Sequence, residues 1–322
     1  MTWHRRGGSF GVRQGAPFGF ALAVVIVAAL AAPSIELRAQ TAQRTFATPE
    51  EAVRELAAAT KRGNLDEVLA FFGPEGTELI SSSDPATART NRDVFVAAFA
   101  EGWRLVDDEG GIKTLVIGNE DWPFPVPLVK DKTGWRFDTA AGKEEVLARR
   151  IGRNELAVIA ICRTYAVAQG TYAKTGHDGK PAGVYAVAFR SDPGKQNGLY
   201  WPAAKGEKPS PLGDLVAQAA TEGRGLEVNR PPPAPFHGYL FKILTAQGAK
   251  VPGGAKSYVV NGNLSGGFAL VAWPVQYDAT GIMTFVINQS GVVWQKDLGP
   301  ETAKAVAAMK AYDPDASWTE VR

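Results

Sequence analysis

Residues 143–174 carry a single helical pattern long enough to dictate what must surround it. Leu147, Ile151, Val158, Tyr165 and Tyr172 recur at intervals of four or seven, which draws an apolar stripe along one helix face. Gly152 interrupts the pattern once, and Gly176, Gly179, Pro181 and Gly183 end it. A stripe of that length must be buried against another layer, and the residues that follow supply strands. The final third reads as a β-meander over Gly238–Thr245, Lys256–Asn261, Gly267–Ala272, Gly281–Asn288 and Val292–Asp297. Asn288-Gln289-Ser290-Gly291 joins the last two strands as a hairpin, and a closing helix is expected over Glu301–Ala311. Between long helix and meander lies a loop-rich stretch holding Gly198-Leu199-Tyr200-Trp201-Pro202, a short helix near Leu212–Ala220, and Pro231–Pro235.

Ahead of the long helix, Thr48-Pro49-Glu50-Glu51 is a helix start: Thr48 caps, Pro49 suits the first turn, and Glu51 stands three residues after the cap. That helix runs to Gly63, a second covers Leu65–Phe72, and a third covers Asn91–Phe99. Strands are expected at Lys113–Ile117, Val126–Lys130 and Gly134–Asp138. Helices followed by antiparallel strands predict an α+β class. The expected organisation is a leader over residues 1–40, an amino-terminal α+β domain over 45–142 and a second α+β domain over 143–322.

The leader rests on an unbroken apolar run from Phe18 to Ala32 behind Arg5, Arg6 and Arg13. It is shorter than the ~20 residues that span a bilayer and is closed by Pro33 and Glu36. This is the pattern of a signal peptide, with cleavage expected between Ala39 and Ala42; an uncleaved anchor is the competing reading. Gly7-Gly8 follows Arg5-Arg6 where a twin-arginine signal needs an apolar pair. The expected destination is therefore the periplasm or the exterior, with no membrane span in the mature chain. The formal charge of +2 hides an asymmetry: residues 1–39 hold four Arg against one Glu, a surplus of three, so the remainder stands near −1. That balance argues against nucleic acid as a partner.

With Cys162 alone, no intrachain disulfide can form, and its place in an apolar helical pattern predicts a buried small hydrophobe. Of three His, only His177 and His237 follow the leader, a count that excludes a histidine-rich metal site, and no cofactor is expected.

Several motifs resemble a known family. Thr45-Phe46-Ala47-Thr48-Pro49-Glu50-Glu51-Ala52, Asp121-Trp122-Pro123-Phe124-Pro125-Val126-Pro127-Leu128 and Trp135-Arg136-Phe137-Asp138-Thr139 look like the bacterial exported family called domain of unknown function 2950. Gly142-Lys143-Glu144-Glu145, Gly198-Leu199-Tyr200-Trp201-Pro202, His237-Gly238-Tyr239 and Gly299-Pro300 add to the likeness, which covers residues 45–322. That family implies export but no activity, cofactor or catalytic residue. A more distant resemblance concerns fold. Asn154-Glu155, Arg163-Thr164-Tyr165, Ala168-Gln169 and Tyr172-Ala173, followed by the meander, look like the globular domain of type IV pilins and pseudopilins, and the amino-terminal half is similar to NTF2-like folds. Filament assembly is not implied: Gly19-Phe20 lacks the following Glu of a pilin processing site, and over a hundred residues separate the apolar run from Asn154.

Candidate binding residues are aromatic: Trp122 and Phe124 in the Pro-rich run, Tyr200 and Trp201, and Trp273 with Tyr277. Rings at strand ends and loops can stack on a glycan or an envelope protein, and they can equally seal the rim of a sheet. A binding role predicts exposed, clustered rings among Trp122, Phe124, Tyr200, Trp201 and Trp273, and complete burial of all five would exclude it. Alternating prolines also bar residues 122–127 from a central strand. A cofactor-free hydrolase would need Glu120 or Asp121 within roughly 10 Å of Asp138 across a concave pocket. Asp297, Asp313 and Asp315 could hold a cation, and His177-Asp178-Gly179 a weak acid/base site, although turn and cap roles explain all of them. The leading expectation is a non-enzymatic binding or scaffolding protein of the cell envelope. A carboxylate hydrolase and a minor accessory of a secretion or pilus system are the alternatives.

Overall fold

The computed structural model describes residues 42–80, 85–203, 208–213 and 235–322. The leader, most of the short helix expected at Leu212–Ala220 and the triple proline lie outside them. Within the described residues the chain has the α+β class, with helices and antiparallel sheets. It divides into two compact units between Val146 and Leu147.

The first unit opens on α1 (Pro49–Arg62). The Thr48 hydroxyl accepts from the Glu51 amide at 3.1 Å, and Glu51 Oε2 accepts from the Ala47 amide at 3.1 Å, so both ends of the box are engaged. Gly63 ends the helix in a left-handed conformation (φ 71°), donating to the Ala59 and Thr60 carbonyls. Next come α2 (Leu65–Phe72), the single-turn α3 (Thr77–Ile80) and α4 (Pro85–Glu101), which starts six residues before the stretch predicted at Asn91.

The sheet of this unit runs β1 (Trp103–Asp107), β2 (Lys113–Ile117), β4 (Leu128–Asp131), β5 (Gly134–Phe137), with β3 (Trp122–Pro123) paired to β2. Strand β1 went unpredicted because it alternates only between half-buried and exposed positions. Phe71, Phe137, Phe124, Phe95, Leu56 and Leu115 form the core beneath it. The β4–β5 turn is set by Asp131, whose Oδ1 accepts from the Thr133 amide at 2.7 Å and hydroxyl at 2.6 Å. These bonds, with Arg136 behind them, hold the Asp131 carboxyl down to about 2.

Helix α5 (Thr139–Tyr172) begins four residues earlier than predicted. Asp138 Oδ1 accepts from the Ala141 amide at 3.3 Å and caps it. From Leu147 onward it belongs to the second unit, where Val158, Ile161, Cys162, Tyr165, Ala168 and Tyr172 enter the core. Cys162 is fully buried, and burial pushes its thiol up to about 12.

The second unit's main sheet is antiparallel, in the order β16 (Thr319–Glu320), β15 (Val293–Asp297), β14 (Met283–Asn288), β13 (Ala269–Pro274), β8 (Tyr239–Leu244). Ala269–Ala272 of β13 are buried without alternation, as expected of a strand covered on both faces. Helix α6 (Thr302–Ala308) packs on β13. Lys242 Nζ holds its end by donating to the Val306 and Met309 carbonyls at 3.2 and 2.7 Å.

The strand predicted at Lys256–Asn261 is not part of this meander. It splits into β10 (Lys256–Ser257), paired with β9 (Ala246–Gln247), and β11 (Val259–Val260), paired with β12 (Asn263–Leu264). The break falls at Tyr258, whose ring is fully buried and whose hydroxyl donates to Gln247 Oε1 at 3.1 Å. Turning that ring inward costs the continuous ladder. The stretch read as loop contains a parallel pair, β6 (Ala188–Arg190) with β7 (Gly198–Tyr200).

Two polar clamps fix α5 to its surroundings in this unit. Glu155 Oε1 accepts from the Ile282 and Met283 amides at 2.8 and 2.9 Å, while Asn154 Nδ2 donates to the Thr280 carbonyl at 2.9 Å. About four turns further on, Gln169 Nε2 donates to the Ala186 carbonyl and its Oε1 accepts from the Ala186 amide, both at 2.9 Å.

Candidate functional site

The first unit holds a polar cleft of about 490 Å³ at the start of α5. Its walls are Gln43, Phe72, Gly73, Pro74 and Glu75 on one side of the chain, and Arg136, Asp138, Thr139 and Ala140 on the other. Much of the lining is preset by bonds to backbone. Gln43 Nε2 donates to the Phe71 and Phe137 carbonyls at 2.8 and 2.7 Å, and the Thr139 hydroxyl donates to the Phe72 carbonyl at 2.8 Å. Arg136 Nε donates to Asp131 Oδ2 at 3.1 Å, a bond that leaves guanidinium N–H groups to spare. At the cleft's side, Glu78 meets Lys143 at 2.6 Å and raises the lysine's affinity for its proton, with Glu75 adding to the effect. The cleft thus offers carboxylate acceptors from Glu75 and Asp138 and donors from Arg136. That combination suits a ligand whose groups both donate and accept.

Of the carboxylates singled out in the sequence, Asp138 lines this cleft and Glu120 and Asp121 do not. Asp121 instead sits at a positive φ of 53° and pairs with Arg104 on an exposed surface. The second carboxylate of the cleft is Glu75, which no motif marked. Arg136 could have been found, since Trp135 and Phe137 alternate as core-facing residues of a strand and place it on the other face.

The six aromatic candidates do not form one group: Trp122 and Phe124 belong to the first unit, the other four to the second. Phe124 is 2% exposed, donates its amide to the Leu115 carbonyl at 2.7 Å, and meets Phe72, Phe95 and Phe137 within 6.5 Å. Trp122 is half-buried, edge-on to Phe124 at 6.0 Å. Together with buried Pro125 and Val126, they make the Pro-rich run an anchored edge of the sheet.

In the second unit, Trp201 (9% exposed) lies 5.5 Å from the His177 ring, which stacks on Tyr172 at 4.0 Å. Both imidazole nitrogens are engaged, Nδ1 with Gln196 Oε1 at 3.1 Å and Nε2 with the Tyr172 carbonyl at 3.0 Å. Burial, with Asp178 nearby, pushes the Tyr172 phenol up to about 12. Asp178 accepts from the Gln196 amide at 2.9 Å, so the His-Asp-Gly run is a turn that buttresses this stack. Tyr200 is half-buried under the Arg190 guanidinium at 5.7 Å. Trp273 is half-buried in register with Leu240, and the Tyr277 hydroxyl donates to Asp297 Oδ2 at 3.2 Å.

The remaining acidic candidates serve turns and pairs. Asp297 Oδ1 accepts from the Gly299 amide, Asp313 Oδ1 accepts from the Lys250 amide, and Asp315 pairs with Lys250 Nζ at 2.7 Å. Among the described residues, no group of three or more His, Cys, Asp or Glu side chains is placed to hold a metal ion. No helix among them is long and apolar enough to cross a membrane.

No curated protein and no solved structure matches the chain. The family model described as protein of unknown function (DUF2950) matches residues 43–321, across both units, and the chain belongs to that family.

Proposed function

We propose that the protein is exported to the cell envelope and works there by binding, taking a short glycan segment into the polar cleft of its first unit. The observation that carries this reading is the lining itself: Glu75, Asp138 and Arg136 around about 490 Å³, on walls fixed by Gln43 and Thr139. Sugar hydroxyls donate to carboxylates and accept from a guanidinium, so one ligand satisfies both charges. The test is calorimetric titration of the intact mature chain with soluble cell-wall saccharides, beside Glu75→Gln and Arg136→Gln. Saturable binding weakened tenfold or more by either change supports the reading; failure of every saccharide to bind overturns it. Export is tested apart from binding, by fractionating expressing cells and sequencing the mature amino terminus, expected between Ala39 and Ala42.

A hydrolase reading draws support from the same cleft, because two carboxylates line it and glycosidases work with such pairs. It requires that Glu75→Gln and Asp138→Asn each abolish turnover of a glycoside substrate. A role as accessory of a secretion or pilus system draws support from the second unit. Its helix-then-meander order suits a pilin-like domain, and α5 leaves Leu156 and Val167 exposed by 69% and 70%. Crosslinking in intact envelopes through cysteines placed at those two positions tests that role.

A further inference from the structure

On α1, Arg54, Ala57, Ala58 and Lys61 stand at intervals of three and four, forming one stripe about 10 Å long. Val96, Phe99 and Ala100 of α4 face it, and the seven side chains line a groove of about 260 Å³. Its chemistry differs from that of the polar cleft. Alanines on the α1 side keep one wall low. The other wall is stiff, because Phe99 stacks between Trp103 at 5.7 Å and Phe95 at 6.2 Å.

Among the described residues, the only charged groups lining the groove are Arg54 and Lys61, one at each end of the α1 stripe. Among the described residues neither makes an ion pair, while Arg44, Arg62, Arg92 and Arg104 nearby in the fold all do. The acids of α1 are turned elsewhere: Glu51 binds the Ala47 amide, Glu55 pairs with Arg44, and Glu50 does not line the groove. The volume lies just under the roughly 300–1,000 Å³ of ordinary ligand pockets, and the span of about 10 Å between the ends of the α1 stripe matches the length of a medium acyl chain.

We propose that this groove binds a free medium-chain fatty acid, with the acyl chain along Ala57, Ala58, Val96 and Phe99 and the carboxylate against Arg54 or Lys61. The apolar floor and a cation at either end of it then complement the two ends of one molecule. The site is independent of the polar cleft, so the outcome of the glycan titration does not bear on it.

The test is titration of the intact chain with carboxyl-labelled decanoate below its micellar concentration, followed by NMR. Saturable binding is expected, weakened fivefold or more by Arg54→Gln or by Lys61→Gln; whichever change acts identifies the head-group end. Shortening decanoate to octanoate should weaken it roughly fifteenfold, at about fourfold per methylene. Ala57→Leu should fill the groove and block binding. The two charge variants lie at exposed positions and report even if Ala57→Leu does not fold. Equal binding of decanol, indifference to both charge variants, or association with anionic vesicles without uptake of free decanoate overturns the proposal.

Discussion

Gln169→Leu isolates the energetic worth of the deepest polar clamp in the second unit. Gln169 is wholly buried, and its carboxamide closes a two-bond ring with the Ala186 backbone while also donating to the Tyr165 hydroxyl at 3.0 Å. Leucine keeps nearly the same volume, so the cavity contribution is small. What remains is an Ala186 amide and carbonyl without partners, at a residue that is 1% exposed. Each such group costs about 1–3 kcal/mol, so the change should destabilise the second unit by about 4 kcal/mol. For a unit of this size that lowers its melting transition by about 8–16 °C. Differential scanning calorimetry is the assay, fitted with separate transitions because two units need not unfold together.

Gln169→Glu sharpens the test. Burial raises the new carboxyl above its unfolded value of about 4.3, and only its protonated form can donate to the Ala186 carbonyl. A folded value above the unfolded one means stability that is complete below about pH 4 and lost as pH rises through the raised value. A shift below about 2 °C for Gln169→Leu, or a pH-independent penalty for Gln169→Glu, would refute the assignment of this bond ring as a structural clamp.

Four further outcomes are expected. Cys162, with its thiol raised to about 12, should resist alkylation in the folded chain and react on denaturation; rapid labelling at neutral pH contradicts its burial. A carboxyl NMR titration of Asp131 should find its midpoint near 2, against an ordinary 3.8, and Thr133→Ala should move it upward. The folded value is the lower one, so the contribution of Asp131 to stability is present above about pH 4 and fades as pH falls toward 2. Gly281→Ala should destabilise the second unit by about 1–3 kcal/mol, because the added carbon would lie 2.0 Å from the Tyr239 hydroxyl, and urea unfolding reads it. Thr48→Ala removes the α1 cap and should cost about 1 kcal/mol in the first unit by the same measurement.

What could be read in the sequence is what local chemistry decides. Thr48 and Gly63 delimit α1, and α2 falls on the predicted residues, because caps and breakers act within a turn or two. The apolar periodicity of α5 likewise survives in Val158, Tyr165 and Tyr172 of the core. Strand identity depended on distant partners and was less legible. Lys256–Asn261 has the composition of a meander strand, yet burying Tyr258 splits it, and Thr319–Glu320 takes the sheet edge with only two residues. The cleft was half legible: Asp138 stood out within a Trp-Arg-Phe-Asp run, whereas Glu75 follows a Gly-Pro break with nothing to mark it. A carboxylate brought to a site by tertiary folding alone leaves no local trace.

The junction between the two units falls inside α5, not in a Pro- or Gly-rich linker. Boundaries between domains ordinarily fall in exposed, flexible linkers that few contacts cross. Here any cut between Val146 and Leu147 severs a running ladder of i to i−4 hydrogen bonds. It also separates the long helix from Asp138, which nucleates its first turn. A second unit expressed alone must therefore start a helix without its cap. The family match, too, runs through both units without a break at this point.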